Sequence, residues 1–215
     1  MLLKICGTTS LHDALLAARA GADYLGIILE HERSPRSISL ETAVALRDAL
    51  QNEGMEPPLV AVTVNLPAER ILQIQQRLQP AVFQLHGDEP PEHIHPLVGR
   101  GLRIWSTSQT HEAAREMIEA GAEAIVVDAR AHATSGEMVY GGTGQTSDWS
   151  LAAALSASGV RVVLSGGLNA ENVAQAMETV NPWAVDAVSS LEARPGVKDA
   201  MKLQAFSNAV RAFPT

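Results

Sequence analysis

Eight short apolar runs, each followed by a helix-like segment, recur along this chain from end to end. The runs fall at 2–7, 24–29, 58–64, 81–86, 102–107, 124–129, 160–165 and 184–189. The helical segments fall at about 11–20, 40–52, 67–78, 91–99, 110–120, 149–158, 170–179 and 199–212. Runs such as Ala61-Val62-Thr63-Val64 and Ile125-Val126-Val127 are apolar on both faces and partly β-branched, as strands of a sheet covered on both sides must be. The helical segments are rich in alanine and leucine, with charges at helical spacing (Glu112, Arg115, Glu116, Glu119). Gly21, Gly121 and Gly159 mark helix ends, each followed closely by a strand. Eight strand–helix units predict an α/β fold, a single (β/α)8 TIM barrel over residues 1–215, near the lower size limit of that architecture. An open doubly wound sheet shares the alternation. The motif positions favour the barrel.

Bulk properties narrow the function. Hydrophobic residues make up 46% of the chain, enough for a sizeable core. No apolar run approaches the ~20 residues that cross a bilayer, so no membrane association is expected. Leu2-Leu3-Lys4-Ile5 reads as a strand rather than a signal peptide, and one cysteine excludes an internal disulfide. Both suit a cytoplasmic protein. A net charge of −8 argues against nucleic acid, whose backbone calls for a basic face. It leaves room for a phosphorylated metabolite bound by local amides.

In a barrel all strand C-termini open on one face, where chemistry takes place. Cys6 sits at such an end, before Gly7. A lone cysteine is ordinarily a small buried hydrophobe, but this position lets a thiol face the mouth. Lys4 lies two residues earlier on the same face and would favour the thiolate. Strand eight, which would close on strand one, carries Asp186, and Lys4 and Asp186 are expected to pair beneath the mouth. Such a pair serves either the core or the thiol.

Asp128 ends strand six after four apolar residues, Ala124 to Val127. Such a carboxylate is either solvated at the rim or held half-buried for proton transfer. Ser165-Gly166-Gly167-Leu168-Asn169 ends strand seven and Ser189-Ser190 ends strand eight. Loops after these two strands form the recurrent phosphate site of such barrels, and glycines let amides approach an anion. The Gly-, Ser- and Thr-rich stretch 130–148 includes Gly142 and Gly144 and is either a binding loop or lid, or a tolerated surface insertion. Arg36, in Ser34-Pro35-Arg36-Ser37, is either solvated or a clamp for a carboxylate. His86 ends strand four and either binds substrate or caps the strand. His93 and His95 diverge on a helix, no histidines have ligand spacing, and no metal is expected.

Taken together, these residues resemble the phosphoribosylanthranilate isomerase family. The likeness runs through Lys4-Ile5-Cys6-Gly7, Gly21-Ala22-Asp23 with Gly26, Ser34-Pro35-Arg36, and Gln84-Leu85-His86-Gly87 with Glu89. It continues through Asp128, Gly141-Gly142-Thr143-Gly144, Asp148-Trp149 and Leu164-Ser165-Gly166-Gly167-Leu168. Val185-Asp186 and Glu192 with Pro195-Gly196-Val197-Lys198-Asp199 complete it.

The resemblance implies a cofactor-free and metal-free Amadori isomerase of tryptophan biosynthesis, a monomer or homodimer acting on a small phosphorylated substrate. It implies Asp128 as general acid and Cys6 as general base. Arg36 would hold a substrate carboxylate, with His86, Gly142, Gly144, Gly166, Gly167, Ser189 and Ser190 around the substrate. The chain departs from the family pattern at Ser190, where glycine is usual, and at Ile27 and Thr63, where aromatics are common. Two other readings are an isomerase of a different aminoaldose phosphate and a non-catalytic barrel that binds a phosphometabolite.

Overall fold

The computed structural model describes residues 1–128 and 149–213. Eight parallel strands form the barrel: β1 (Leu2–Ile5), β2 (Tyr24–Leu29), β3 (Leu59–Thr63), β4 (Val82–Leu85), β5 (Ile104–Thr107), β6 (Ala124–Val127), β7 (Val162–Leu164) and β8 (Ala184–Ala187). Each pairs with its successor, and β1 pairs with both β2 and β8, which closes the ring and excludes the open sheet. Around it lie α1 (Leu11–Arg19), α2 (Leu40–Asn52), α3 (Ala68–Leu78), α4 (Pro91–Val98), α5 (His111–Glu119), α6 (Trp149–Ala157), α7 (Val173–Val180) and α8 (Ala200–Arg211). Among the described residues no helix is long and apolar enough to cross a membrane.

Alternation along the strands divides the core into two layers. Val60, Val62, Val82, Trp105, Ala124, Val126, Val163 and Ala184 fill the barrel interior. Leu3, Ile5, Leu25, Ile27, Ala61, Leu85 and Ile125 point outward beneath the helices. Trp105 packs edge-on against Tyr24 (centroids 5.1 Å apart) and Trp183 (5.5 Å), filling the interior toward the strand N-termini.

Local chemistry sets the helix limits. Ser10, Ser39 and Thr110 accept hydrogen bonds from the N–H groups of Asp13, Thr42 and Ala113 at the starts of α1, α2 and α5. Gly21, Gly121 and Gly159 have positive φ just past α1, α5 and α6, as their placement in the sequence predicts.

Helix α7 begins at Val173 rather than near residue 170, because the Asn169 side chain accepts the N–H groups of Glu171 and Asn172 in a competing turn. Most barrel strands end one or two residues earlier than the apolar runs suggest. The final residues of those runs, including Cys6, His86 and Ser165, still donate to the neighbouring strand but lie just past the strand ends, where they line the mouth. Three small pieces have no counterpart in the sequence reading. They are a strand at Ser37–Ile38 beside β2, a 3-10 turn at Ser189–Leu191, and a hairpin pairing Glu192–Arg194 with Val197–Lys198.

Candidate active site

The strand C-termini open into one cleft of about 720 Å³, mouth included. Cys6, Arg36, His86, Asp128, Gly166, Gly167, Ser189 and Ser190 all line it, so these sequence-selected residues converge. Gly142 and Gly144, with the rest of 129–148, lie outside the described residues.

Cys6 is buried at the end of β1, where its N–H donates to the Ala187 carbonyl at 3.0 Å. Beside it on β2 is Gly26. A Cβ there would lie 2.4 Å from the Cys6 sulfur, so the thiol occupies the space of the missing side chain. One layer deeper, Lys4 Nζ meets Asp186 Oδ2 at 2.6 Å, the expected pair, with the Lys4 side chain fully buried. Burial alone would lower the Lys4 pKa, but Asp186 and Cys6 together hold it above its ordinary value. Asp186 lines the cleft, and its buried Oδ1 has no hydrogen-bond partner among the described residues.

The Cys6 thiol departs from expectation. Burial pushes its pKa above the ordinary 9.0, although Lys4 and Lys198 pull it down. The ammonium favours the thiolate as the sequence predicts. Loss of solvation in a closed barrel outweighs it, and Asp186 adds to the rise.

Asp128 is buried at the end of β6, not solvated at the rim. Its Oδ2 lies 3.3 Å from His86 Nε2. Gln84 Nε2 lies 2.9 Å from His86 Nδ1. With the Gln84 amide donating, Nδ1 accepts and the imidazole proton sits on Nε2, facing Asp128. Gln84 and His86 are two apart on one strand and so share a face, which makes this pairing readable from spacing.

Arg36 is held along one edge rather than merely solvated. Its Nε donates to Glu192 Oε1 at 2.8 Å and Oε2 at 3.1 Å, and its Nη2 donates to Oε2 at 2.8 Å. Lys198 Nζ in turn donates to Cys6 O at 2.6 Å, Val188 O at 3.2 Å and Glu192 Oε1 at 3.4 Å. Burial lowers the Lys198 pKa, against the pull of Glu192. Gln84, Glu192 and Lys198 join the site without any role assigned from sequence. Glu192 and Lys198 flank Pro195-Gly196, a turn signal that pairs them across a hairpin.

At the ends of β7 and β8, Gly166, Gly167, Ser189 and Ser190 form one wall. No backbone hydrogen bond occupies the N–H groups of Gly166 and Gly167 among the described residues. The Ser190 hydroxyl donates to the Leu168 carbonyl, tying the two loops together and turning its proton away from the cleft. Ile27 and Thr63 take no part in the cleft; Ile27 packs under the helices, and Ile28, Val62 and Val64 form the apolar wall.

The sequence profile described as N-(5'phosphoribosyl)anthranilate (PRA) isomerase matches residues 3–209. The chain belongs to the phosphoribosylanthranilate isomerase family. It is 38% identical over 213 residues to the N-(5'-phosphoribosyl)anthranilate isomerase of Rubrobacter xylanophilus, covering 98% of each chain. Its fold matches the crystal structure of the isomerase from Thermus thermophilus with a TM-score of 0.81 and 33% identity, covering 100% of both chains. A family structure in complex with reduced 1-(o-carboxyphenylamino)-1-deoxyribulose 5-phosphate matches with a TM-score of 0.78 and 30% identity over 98% of both chains.

Proposed function

We propose that this chain converts N-(5′-phosphoribosyl)anthranilate into 1-(2-carboxyphenylamino)-1-deoxyribulose 5-phosphate, a cofactor-free aldose–ketose isomerisation of tryptophan biosynthesis in the cytoplasm. Family membership supports the reaction. One observation supports the residues: a thiol from β1 and a carboxyl from β6 line the same cleft as the glycine wall of β7 and β8.

Asp128, as the carboxylic acid, protonates the ribose ring oxygen. The C1′–O bond breaks, and the anilino nitrogen's lone pair forms a cationic Schiff base at C1′. Cys6, as thiolate, removes the proton from C2′, and those electrons neutralise the iminium to give an enolamine. The enol proton then returns through the site to C1′ as the ketone forms, so atoms and charge balance. The cationic Schiff base beside Cys6 itself favours the thiolate when it is needed, offsetting part of the burial penalty. His86, oriented by Gln84, holds one oxygen of Asp128 and leaves the other for the ring oxygen. Gly166, Gly167, Ser189 and Ser190 take the phosphate through backbone amides. Gly142 and Gly144 belong to the same substrate-binding set. Arg36 holds the anthranilate carboxylate with the guanidinium edge that Glu192 leaves open.

Turnover of freshly generated phosphoribosylanthranilate, followed by loss of substrate fluorescence, tests this reading. Cys6→Ser and Asp128→Asn are each expected to lower kcat by on the order of 10²–10⁴ with KM changed far less. Near-wild-type kcat in either variant removes that residue from its role. A well-folded wild type without activity transfers the site to another aminoaldose phosphate.

A further inference from the structure

The Arg36–Glu192–Lys198 chain has more structure than a carboxylate clamp requires. The Arg36 stem crosses the end of β1, where Gly7 makes room: a Cβ there would lie 2.9 Å from Arg36 Cδ. Glu192, with a side chain 3% exposed, occupies the Nε–Nη2 edge of the guanidinium. Nη1 takes no partner among the described residues, and Arg36 lines the cleft. Lys198, fully buried at its side chain, fixes Glu192 from behind and holds the end carbonyls of the β1 and β8 segments, at Cys6 and Val188. The hairpin carrying both residues is clamped to the chain's start, through Thr9 Oγ1 to Gly196 O at 2.7 Å and Lys198 N to Asp13 Oδ1 at 3.1 Å.

We propose that Glu192 is a positioning residue for substrate recognition: anchored by Lys198, it holds Arg36 in one rotamer with a single free edge aimed at the cleft. An arginine side chain loses much rotamer freedom when it binds a ligand, and prior fixation removes that cost from substrate binding. Glu192 also neutralises one of two adjacent cations, so the mouth selects a single carboxylate rather than any polyanion. The inference rests on the reading of Arg36 as the holder of the anthranilate carboxylate.

The test compares phosphoribosylanthranilate with its analogue lacking the carboxylate, N-(5′-phosphoribosyl)aniline. The readout is the ratio of kcat/KM for the two substrates in wild type, Glu192→Gln, Arg36→Met and the double variant, with thermal melting of each. The preference for the carboxylated substrate is expected to fall about tenfold or more in Glu192→Gln, through KM rather than kcat. The double variant should resemble Arg36→Met alone, because Glu192 acts through Arg36. A ratio unchanged in Glu192→Gln but lowered in Arg36→Met overturns the role of Glu192 only. A ratio unchanged in Arg36→Met overturns the carboxylate reading of Arg36 itself. If Glu192→Gln does not fold because Lys198 is left buried and unpaired, Glu192→Gln combined with Lys198→Met removes both charges, and the same ratio decides.

Discussion

Lys4 Nζ and Asp186 Oδ2 meet at 2.6 Å in the barrel interior, directly beneath the Cys6 thiol and with both side chains almost wholly buried. Removing one member of such a pair leaves an uncompensated charge in the core. Lys4→Met is therefore expected to destabilise the fold by about 3–5 kcal/mol, and replacing Asp186 by leucine in the same chain should recover most of it. Urea unfolding measures both. A single variant as stable as wild type would mean that Asp186 is neutral at rest.

With Cys6 as the proposed base, its raised pKa predicts a pH dependence of definite sign for the activity. Only the thiolate abstracts a proton, and burial, the largest cause, keeps the thiol protonated beyond its ordinary value of 9.0. The base-dependent limb of kcat/KM should accordingly keep rising with pH through the usual thiol range. In the double variant Lys4→Met/Asp186→Leu that limb should move by the balance of two opposing influences. Lys4 pulls the thiol down more than Asp186 pushes it up, so the shift is to higher pH. A limb that levels off well below pH 9 assigns the base to another group.

Gly26 is the neighbour that gives Cys6 its space. Gly26→Ala places a methyl group 2.4 Å from the sulfur, and the thiol must swing away. Kinetics should show a loss of kcat of about 10²-fold from this misplacement, with overpacking costing about 1–3 kcal/mol of stability. Retention of full kcat would show that the thiol's resting position is not its working position.

At Ser190, where the resemblance leads one to expect glycine, the hydroxyl is committed to the Leu168 carbonyl. Ser190→Gly should cost about 1 kcal/mol in stability from the lost hydrogen bond, while changing inhibition by inorganic phosphate by less than about threefold. A larger loss of phosphate affinity would make the serine a direct ligand.

Much of this site is readable one strand at a time. Cys6, His86, Asp128 and the Gly166-Gly167 pair each stand where an apolar run stops, and in parallel strands those stops share one face. Lys4 and Asp186 are predictable partners because β8 must close on β1. Glu192 and Lys198 are not readable this way. They sit in a hairpin too short to give a periodic signal, and their partners, Arg36 and Cys6, are 156 and 192 residues away. The Ile27 and Thr63 departures look consequential in sequence, yet strand alternation turns both away from the cleft, whose apolar lining includes Ile28, Val62 and Val64 instead.

The order of strands and helices, the location of the mouth and the chemical groups that reach it follow from the chain alone, because they depend on local periodicity and strand direction. The ionisation of Cys6, the partner of Arg36 and the direction of the Ser190 hydroxyl were decided only by the folded molecule. Each depends on which distant groups share a poorly solvated space, where burial outweighs a neighbouring charge or a buried carboxylate captures a guanidinium.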